Sequence, residues 1–196
     1  MPRLVLASNN PGKLRELQDL LADTRIEVVP QNHFHLASVE ETGLSFVENA
    51  LLKARHAARH TGLPALADDS GLAVDALNGA PGIYSARFAG ERATETDNIH
   101  KLLDHLKGVA DPDRAACFHC AIVLCRHATD PVPLIAQGSW RGSILHAPTS
   151  GGGFGYDPIF HVPTHNRSAA ELDPGEKNRI SHRARAIKRL REMLEH

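Results

Sequence analysis

Six consecutive residues near the start of the chain combine short polar side chains with a proline, a glycine and a lysine: Ser8, Asn9, Asn10, Pro11, Gly12 and Lys13. They follow a short apolar run, and Asn10 with Pro11 is typical of a helix cap and a first helical residue. The free N–H groups of a helix start bind anions, and Lys13 adds a positive charge beside them. The segment therefore favours binding of phosphate oxygens. Taken alone it is better explained as a plain helix cap before an exposed lysine, because it matches neither a Walker A loop nor G-x-G-x-x-G.

Two acidic pairs flank one predicted helix, Glu40 with Glu41 before it and Asp68 with Asp69 after it. Clustered carboxylates repel one another, and a hard cation such as Mg²⁺ relieves that cost. A carboxylate that stays off the metal can accept a proton from an attacking water molecule. Each pair alone is equally typical of a solvated turn or an acidic loop, so the interest lies in their occurring together.

A glycine-rich loop over residues 151–155 contains Phe154 and leads through Gly155 into Tyr156 and Asp157. Glycines allow the backbone to approach a ligand closely, and aromatic rings in such a loop stack on a flat base. The alternative is a hairpin loop whose aromatic side chain returns to the core.

Three cationic or polar side chains accompany the start of the last predicted helix, namely Lys177, His182 and Arg183. Positive charge is unfavourable at a helix N-terminus, so these cations need a partner that offsets this cost. A bound anion or a keto oxygen would do so. The alternative is a basic, solvated face of the C-terminal helix.

The elements that carry these residues follow an α/β order. Residues 4–7 and 26–29 are expected to be strands on either side of a helix that Asn10 caps. Ser45 and Glu48 have the spacing of a capping box, and Gly62 is expected to end the helix that they start. Short strands are predicted over residues 65–67 and 72–74, with a turn at 68–71 between them.

The second half of the chain continues the pattern. A helix is expected around residues 99–106, and longer strands over 115–125 and 134–145. Ser181 is expected to cap the last helix, whose buried stripe would comprise Ala184, Ile187, Leu190 and Leu194.

Composition excludes several classes of protein. The 196 residues include 22 Lys and Arg against 23 Asp and Glu, for a net charge of −1, so there is no broad basic surface for nucleic acid. No apolar run approaches the roughly 20 residues of a membrane span, and the start lacks a signal-peptide pattern. Three cysteines, Cys117, Cys120 and Cys125, lie in one predicted strand, as expected for core thiols in a reducing compartment. The cytoplasm is the expected location.

Taken together, six segments resemble one family, the noncanonical purine nucleoside triphosphate pyrophosphatases, also called inosine/xanthosine triphosphate pyrophosphatases, and above all its bacterial branch. The segments cover residues 8–13, 40–50, 67–72, 79–87, 153–158 and 181–183. The resemblance implies an α/β fold with an elongated central mixed β-sheet flanked by helices. It also implies one two-lobed domain over residues 1–196, an active cleft between the lobes, and a homodimer. The implied activity is Mg²⁺-dependent hydrolysis of ITP, dITP and XTP to the monophosphate and pyrophosphate.

The resemblance also assigns roles to individual residues. Asp69 would be the general base and a magnesium ligand, with Glu41 as the second ligand and Glu40 in reserve. The triphosphate would be held by Ser8, Asn9, Asn10, Pro11, Gly12, Lys13, Lys53 and Lys177, and Ser70 would contact the substrate. Phe154, Gly155, Tyr156 and Asp157 would form the base pocket, and His182 and Arg183 would read the purine edge.

Such a site has a physical basis for selection. Hypoxanthine and xanthine present a 6-keto acceptor that Arg183 or a backbone N–H can meet, whereas adenine places an amino donor there. An unpaired buried polar group supports roughly 10⁴- to 10⁵-fold discrimination. Two other functions stay open: a pyrophosphatase for a different modified nucleotide, and a nucleotide-binding protein without catalysis. The second would require damage at Asp69, Glu41 or Lys13, and all three residues are intact.

Overall fold

The computed structural model describes residues 3–22 and 26–195, and within them seven strands form one mixed sheet in the order β2-β1-β3-β4-β5-β6-β7. The strands are β1 (Arg3–Leu6), β2 (Glu27–Pro30), β3 (Ala65–Val74), β4 (Ala115–Cys125), β5 (Leu134–Ile144), β6 (Phe160–Val162) and β7 (Arg167–Ser168). The helices are α1 (Pro11–Leu21), α2 (Phe46–Thr61), α3 (Glu95–His105), α4 (Pro174–Ile180) and α5 (His182–Leu194). β1 runs parallel to β2 and β3, whereas β6 is antiparallel to β5 and β7. The α/β class and the mixed sheet flanked by helices are confirmed.

The chain divides into two compact units, and β3, β4 and β5 contribute residues to both. Unit 1 comprises residues 1–69, 120–138 and 182–196, and unit 2 comprises residues 70–119 and 139–181. No helix in the described part of the chain combines the length and the apolar character needed to cross a bilayer.

In unit 1, the start of α1 follows from its sequence. The Asn10 side-chain oxygen accepts hydrogen bonds from the N–H groups of Gly12 and Lys13, at 2.9 and 3.1 Å. Behind this cap, Leu17 and Leu21 are buried in a cluster that also contains apolar residues of β1 and α5. The predicted cap is confirmed, and the cap and the apolar face together fix the position of Lys13 at the head of α1.

Helix α2, also in unit 1, begins and ends where its sequence predicts. The Ser45 hydroxyl accepts from the N–H of Glu48, and the Glu48 carboxylate accepts from that hydroxyl and from the N–H of Leu44. Gly62 ends the helix with a φ of 68°, in the left-handed region that favours glycine. Small alanines line the side of α2 that packs on β1 and β3, so the helix lies close to the sheet.

Unit 2 has an aromatic core. Phe118, Trp140 and Phe160 are buried together, with the Phe160 ring centroid 4.6 Å from that of Phe118 and 5.1 Å from that of Trp140. Arg114 is buried near the end of β5, where its guanidinium donates to the carbonyls of Ile144, Leu145 and Leu106 at 2.8 to 2.9 Å. Backbone carbonyl oxygens thus accept the hydrogen bonds of this buried guanidinium, a role that a carboxylate often has.

Two local predictions were wrong. The turn expected at residues 68–71 does not exist, because β3 continues through it from Ala65 to Val74. A turn would have given Asp68 and Asp69 access to water, but both carboxylates are buried and find cationic partners inside the protein. Leu194 was expected in the buried stripe of the last helix, yet it is the last helical residue and is 46% exposed. Ala184, Ile187 and Leu190 are buried as predicted.

Candidate active site

Asp68 lies at the centre of a buried group of charges in unit 1. The residue is 1% exposed, and its Oδ2 atom is 3.0 Å from Lys13 Nζ and 3.4 Å from Arg183 Nη2. Arg183 is also 1% exposed, and its Nη1 pairs with the carboxylate of Glu16. Burial alone would raise the pKa of Asp68, but the charges of Lys13 and Arg183 outweigh it and hold this pKa well below its usual range. Asp68 is therefore ionised at neutral pH.

Asp69 and Glu41 share one ammonium group. Lys53 Nζ is 2.9 Å from Asp69 Oδ1 and 2.9 Å from Glu41 Oε1. Burial raises the pKa of Asp69 despite the nearby charge of Lys53, and Glu41 acts in the same upward direction as burial. Burial would lower the pKa of Lys53, but Asp69 and the other carboxylates outweigh it and raise the pKa. Glu40, the reserve metal ligand, is exposed.

These donors suit a magnesium ion. In residues 3–22 and 26–195 no group of three or more His, Cys, Asp and Glu side chains forms a ready-made metal cluster. Magnesium does not require one, because it is usually bound by one or two carboxylates together with water and substrate phosphates. Glu41 and Asp69 supply two hard oxygen donors that already converge on a single cation, the Lys53 ammonium. The residues present therefore fit Mg²⁺.

The polar side chains of residues 8–13 are organised by their neighbours. The Asn9 amide donates to Ser38 Oγ at 2.9 Å and accepts from Gln31 Nε2 at 2.7 Å. The Ser8 hydroxyl accepts from the N–H of Asn10 at 3.3 Å. Within the same segment Pro11 is exposed and Gly12 is buried. The loop before α1 is thus held in one conformation, with Lys13 directed at Asp68.

Unit 2 contains a second charged group, in and beside the glycine-rich loop. Lys177 Nζ is 2.6 Å from Asp157 Oδ2 and 4.8 Å from the centroid of the Phe154 ring. The N–H of Phe154 donates to Asp157 Oδ2 at 2.9 Å. Tyr156 is buried and its hydroxyl donates to the carbonyl oxygen of Ser85 at 2.9 Å, so this aromatic returns to the core as the alternative interpretation held. The Phe154 ring is only half-buried.

Comparison with known proteins gives the family. A model of the Ham1 family matches residues 4–193. The chain belongs to the Ham1 family. This Ham1 chain is 58% identical over 194 residues to a dITP/XTP pyrophosphatase from Shigella flexneri, covering 99% of this chain and 98% of the relative. It is 55% identical over 194 residues to one from Coxiella burnetii, covering 99% and 97% of the two chains.

Solved structures of Ham1 proteins have the same fold as this chain. A Ham1 protein from Coxiella burnetii matches with a TM-score of 0.92 and 55% identity, covering 100% of this chain and 99% of that one. The Ham1 protein from Staphylococcus aureus matches with a TM-score of 0.86 and 42% identity, covering 98% of each chain. These matches confirm the family that the six sequence segments indicated.

The structure brings part of the predicted site residues of the Ham1 chain together, in one group within each unit. In unit 1 it brings together Lys13, Glu41, Lys53, Asp68, Asp69 and Arg183. In unit 2 it brings together Phe154, Asp157 and Lys177. His182 is buried in unit 1, and Ser70 is half-buried in unit 2.

Sequence reasoning missed two residues of the unit 1 group, Glu16 and Asn49. Glu16 lies three positions after Lys13 on α1, a spacing that places both on one helix face. That spacing was the available signal. Asn49 follows Glu48 of the capping box and is one helical turn before Lys53, so it shares a face of α2 with that lysine.

Proposed function

We propose that this Ham1 chain hydrolyses ITP, dITP and XTP to the nucleoside monophosphate and pyrophosphate in a Mg²⁺-dependent reaction, and so removes these nucleotides from the cellular pool. The observation that carries the proposal is the bridge from Lys53 to Glu41 and Asp69, which brings two carboxylates and an ammonium group together at one place. Relatives that match nearly the whole chain and are named dITP/XTP pyrophosphatases support the substrate class.

Each group in unit 1 has a role in this reaction. Asp69 takes a proton from the attacking water. Glu41 and Asp69 would hold Mg²⁺, which supplies a Lewis acid that polarises phosphoryl oxygens. Lys13, Lys53 and the helix start at residues 8–13 hold the triphosphate oxygens. Asp68 keeps the ammonium of Lys13 in place.

The remaining predicted residues are assigned to substrate selection and positioning. We assign Lys177 to a phosphate, Ser70 to a substrate contact, and the segment from Phe154 to Asp157 to the base. The half-buried Phe154 ring offers a stacking face, while Tyr156 supports the loop from the core. His182 and Arg183 read the purine edge, where donors favour a 6-keto oxygen over the amino group of adenine.

A substrate panel tests the activity. The wild-type chain is incubated with ITP, XTP, dITP, ATP and GTP, with and without Mg²⁺, and the products are separated. The proposal expects IMP and pyrophosphate from ITP only when Mg²⁺ is present, and little turnover of ATP. Release of IDP and phosphate, or equal turnover of ATP and ITP, would contradict it.

Asp69→Asn tests the base. Asparagine keeps the shape of the side chain and removes the basic carboxylate, so turnover should fall by about 10²- to 10⁴-fold while nucleotide binding survives. Retained turnover would remove Asp69 from this role.

We also propose a cytoplasmic homodimer that binds no nucleic acid. Three buried cysteines with free thiols suit a reducing compartment, and the net charge of −1 offers nucleic acid little attraction. The family resemblance supports the dimer. Light scattering on the purified chain measures its mass directly, and a monomer at micromolar concentration would contradict this part.

A further inference from the structure

Asn49 has two hydrogen bonds that both lead to the proposed metal ligands. Its side chain is fully buried, with an exposed fraction of 0%, on the first turns of α2. The Oδ1 atom accepts from the N–H of Gly43 at 2.8 Å, and Nδ2 donates to Asp69 Oδ2 at 3.4 Å. A backbone N–H can only donate, so the amide oxygen must face Gly43 and the NH₂ group must face Asp69.

The bond to Gly43 fixes the loop that carries Glu41. Gly43 lies two residues after Glu41 and packs tightly against the start of α2. A Cβ atom at this position would be 2.6 Å from Glu48 Cβ and 2.7 Å from Asn49 Oδ1. The loop can approach α2 this closely because residue 43 has no side chain, and the Asn49 amide then accepts the loop's N–H.

The bond to Asp69 fixes the carboxylate itself. Asn49 and Lys53 are four residues apart on α2 and therefore point from the same face. Asn49 Nδ2 contacts Oδ2 of Asp69, and Lys53 Nζ contacts Oδ1. With a donor on each oxygen, the plane of the carboxylate is set by α2.

We propose that Asn49 is a positioning residue for the hydrolysis, because one buried amide ties the Glu41 loop and the Asp69 carboxylate to the same helix turn. This inference rests on the proposed function of Asp69 and Glu41. Partners that orient metal ligands typically contribute 10- to 100-fold to metal affinity or activity. Because its side-chain bonds go to Gly43 and Asp69, Asn49 acts through the two carboxylates.

Asn98 offers a matched control in unit 2. It is likewise buried on a helix, α3, with an exposed fraction of 3%. Its Oδ1 accepts from the N–H of Ala89 at 2.7 Å, and its Nδ2 donates to the carbonyl oxygen of Ala86 at 3.1 Å. Both asparagine side chains accept one bond from a backbone N–H and donate one bond to an oxygen atom, which is a carboxylate oxygen for Asn49 and a carbonyl oxygen for Asn98. Replacing either side chain by leucine therefore removes two hydrogen bonds of the same kind.

The experiment compares Asn49→Leu with Asn98→Leu, since leucine is similar in size and makes neither bond. Mn²⁺ affinity is measured without nucleotide by electron paramagnetic resonance, and kcat and KM for ITP are measured with saturating Mg²⁺. We expect Asn49→Leu to weaken Mn²⁺ binding and to lower kcat about 10- to 100-fold, with KM changed less than about threefold. Asn98→Leu should lower the melting temperature while kcat per folded molecule and Mn²⁺ affinity stay within about twofold of wild type.

A second variant separates the two hydrogen bonds of the Asn49 side chain. Asn49→Asp retains an oxygen that accepts from Gly43 but loses the donor to Asp69, so its kcat should fall although the loop bond survives. Wild-type kcat in Asn49→Asp, or an equal loss of kcat and Mn²⁺ affinity in the Asn49 and Asn98 leucine variants, would overturn the inference. Failure of the wild-type chain to produce IMP and pyrophosphate would instead contradict the proposed function, and Mn²⁺ affinity alone would then decide the role of Asn49.

Discussion

Asp68→Asn should destabilise the protein by about 3 kcal/mol at pH 7, because it breaks a buried ion pair without removing the cations. The substitution keeps the shape of the side chain but leaves Lys13 and Arg183 facing a neutral amide. Removing one partner of a buried pair costs about 3–5 kcal/mol. The lower end applies here because Arg183 keeps its pairing with Glu16, and because the contact from Asp68 to Arg183 is long at 3.4 Å.

The pH dependence of this loss has a definite sign. The pKa of Asp68 is lowered in the folded state, so its contribution to stability is fully present above the unfolded pKa of about 3.9. Below about pH 4 the unfolded chain binds the proton first, and the contribution falls by about 1.4 kcal/mol per pH unit until the folded pKa is reached. The difference in stability between wild type and Asp68→Asn should therefore be constant from pH 7 to 5 and should shrink below pH 4.

Urea unfolding at several pH values measures the effect, with two signals that report different parts of the chain. Circular dichroism follows all helices and strands, and fluorescence follows the single tryptophan, Trp140, in the core of unit 2. Asp68 belongs to unit 1, so comparing the two signals shows whether the loss stays in that unit. A difference below about 1 kcal/mol at pH 7, or one that does not shrink in acid, would refute the assignment of Asp68 as a buried, paired carboxylate.

Three further substitutions test unit 2. Lys177→Met should destabilise unit 2 by about 3 kcal/mol, because it leaves the carboxylate of Asp157 buried without its cation, and tryptophan fluorescence during urea unfolding measures this. Gly153→Ala should lower the melting temperature and raise KM for ITP more than Gly155→Ala does: both glycines have positive φ, but only at residue 153 would the new Cβ lie 2.3 Å from Asp157 Oδ2. Equal effects of the two alanines would contradict the close packing of this loop. Arg114→Met should cost about 3 kcal/mol of unfolding free energy, since the carbonyls of Ile144, Leu145 and Leu106 each lose one hydrogen bond, while kcat for ITP stays unchanged.

The sequence predicts a helix most accurately where residues close to its ends determine where it starts and stops. Asn10 and Ser45 accept from the first N–H groups of their helices, and Gly62 ends α2, as their spacing indicated. These signals act over a few residues and depend on no distant partner. For the same reason the apolar strands of residues 115–125 and 134–144 were recognised almost to their ends.

The error at residues 68–71 arose because distant partners change the meaning of a local pattern. Two adjacent aspartates followed by serine and glycine are typical of a solvated turn. Here Asp68 and Asp69 continue a strand, because Lys13, Lys53 and Arg183 balance the carboxylate charges that water would screen in a turn. Those cations lie far away in sequence, and no periodicity within residues 65–74 reveals them.

The same argument explains why the site residues were easier to predict than their pairings. The charged group of unit 1 contains four carboxylates and three cations: Glu16, Glu41, Asp68, Asp69, Lys13, Lys53 and Arg183. Lys53 was assigned to the triphosphate, yet its ammonium lies between Glu41 and Asp69. Since a buried carboxylate is costly without a cation, Lys53 can turn toward a phosphate only if another positive charge replaces it beside these two residues. A cation held by Glu41 and Asp69 would supply that charge, which is consistent with the Mg²⁺ dependence proposed above.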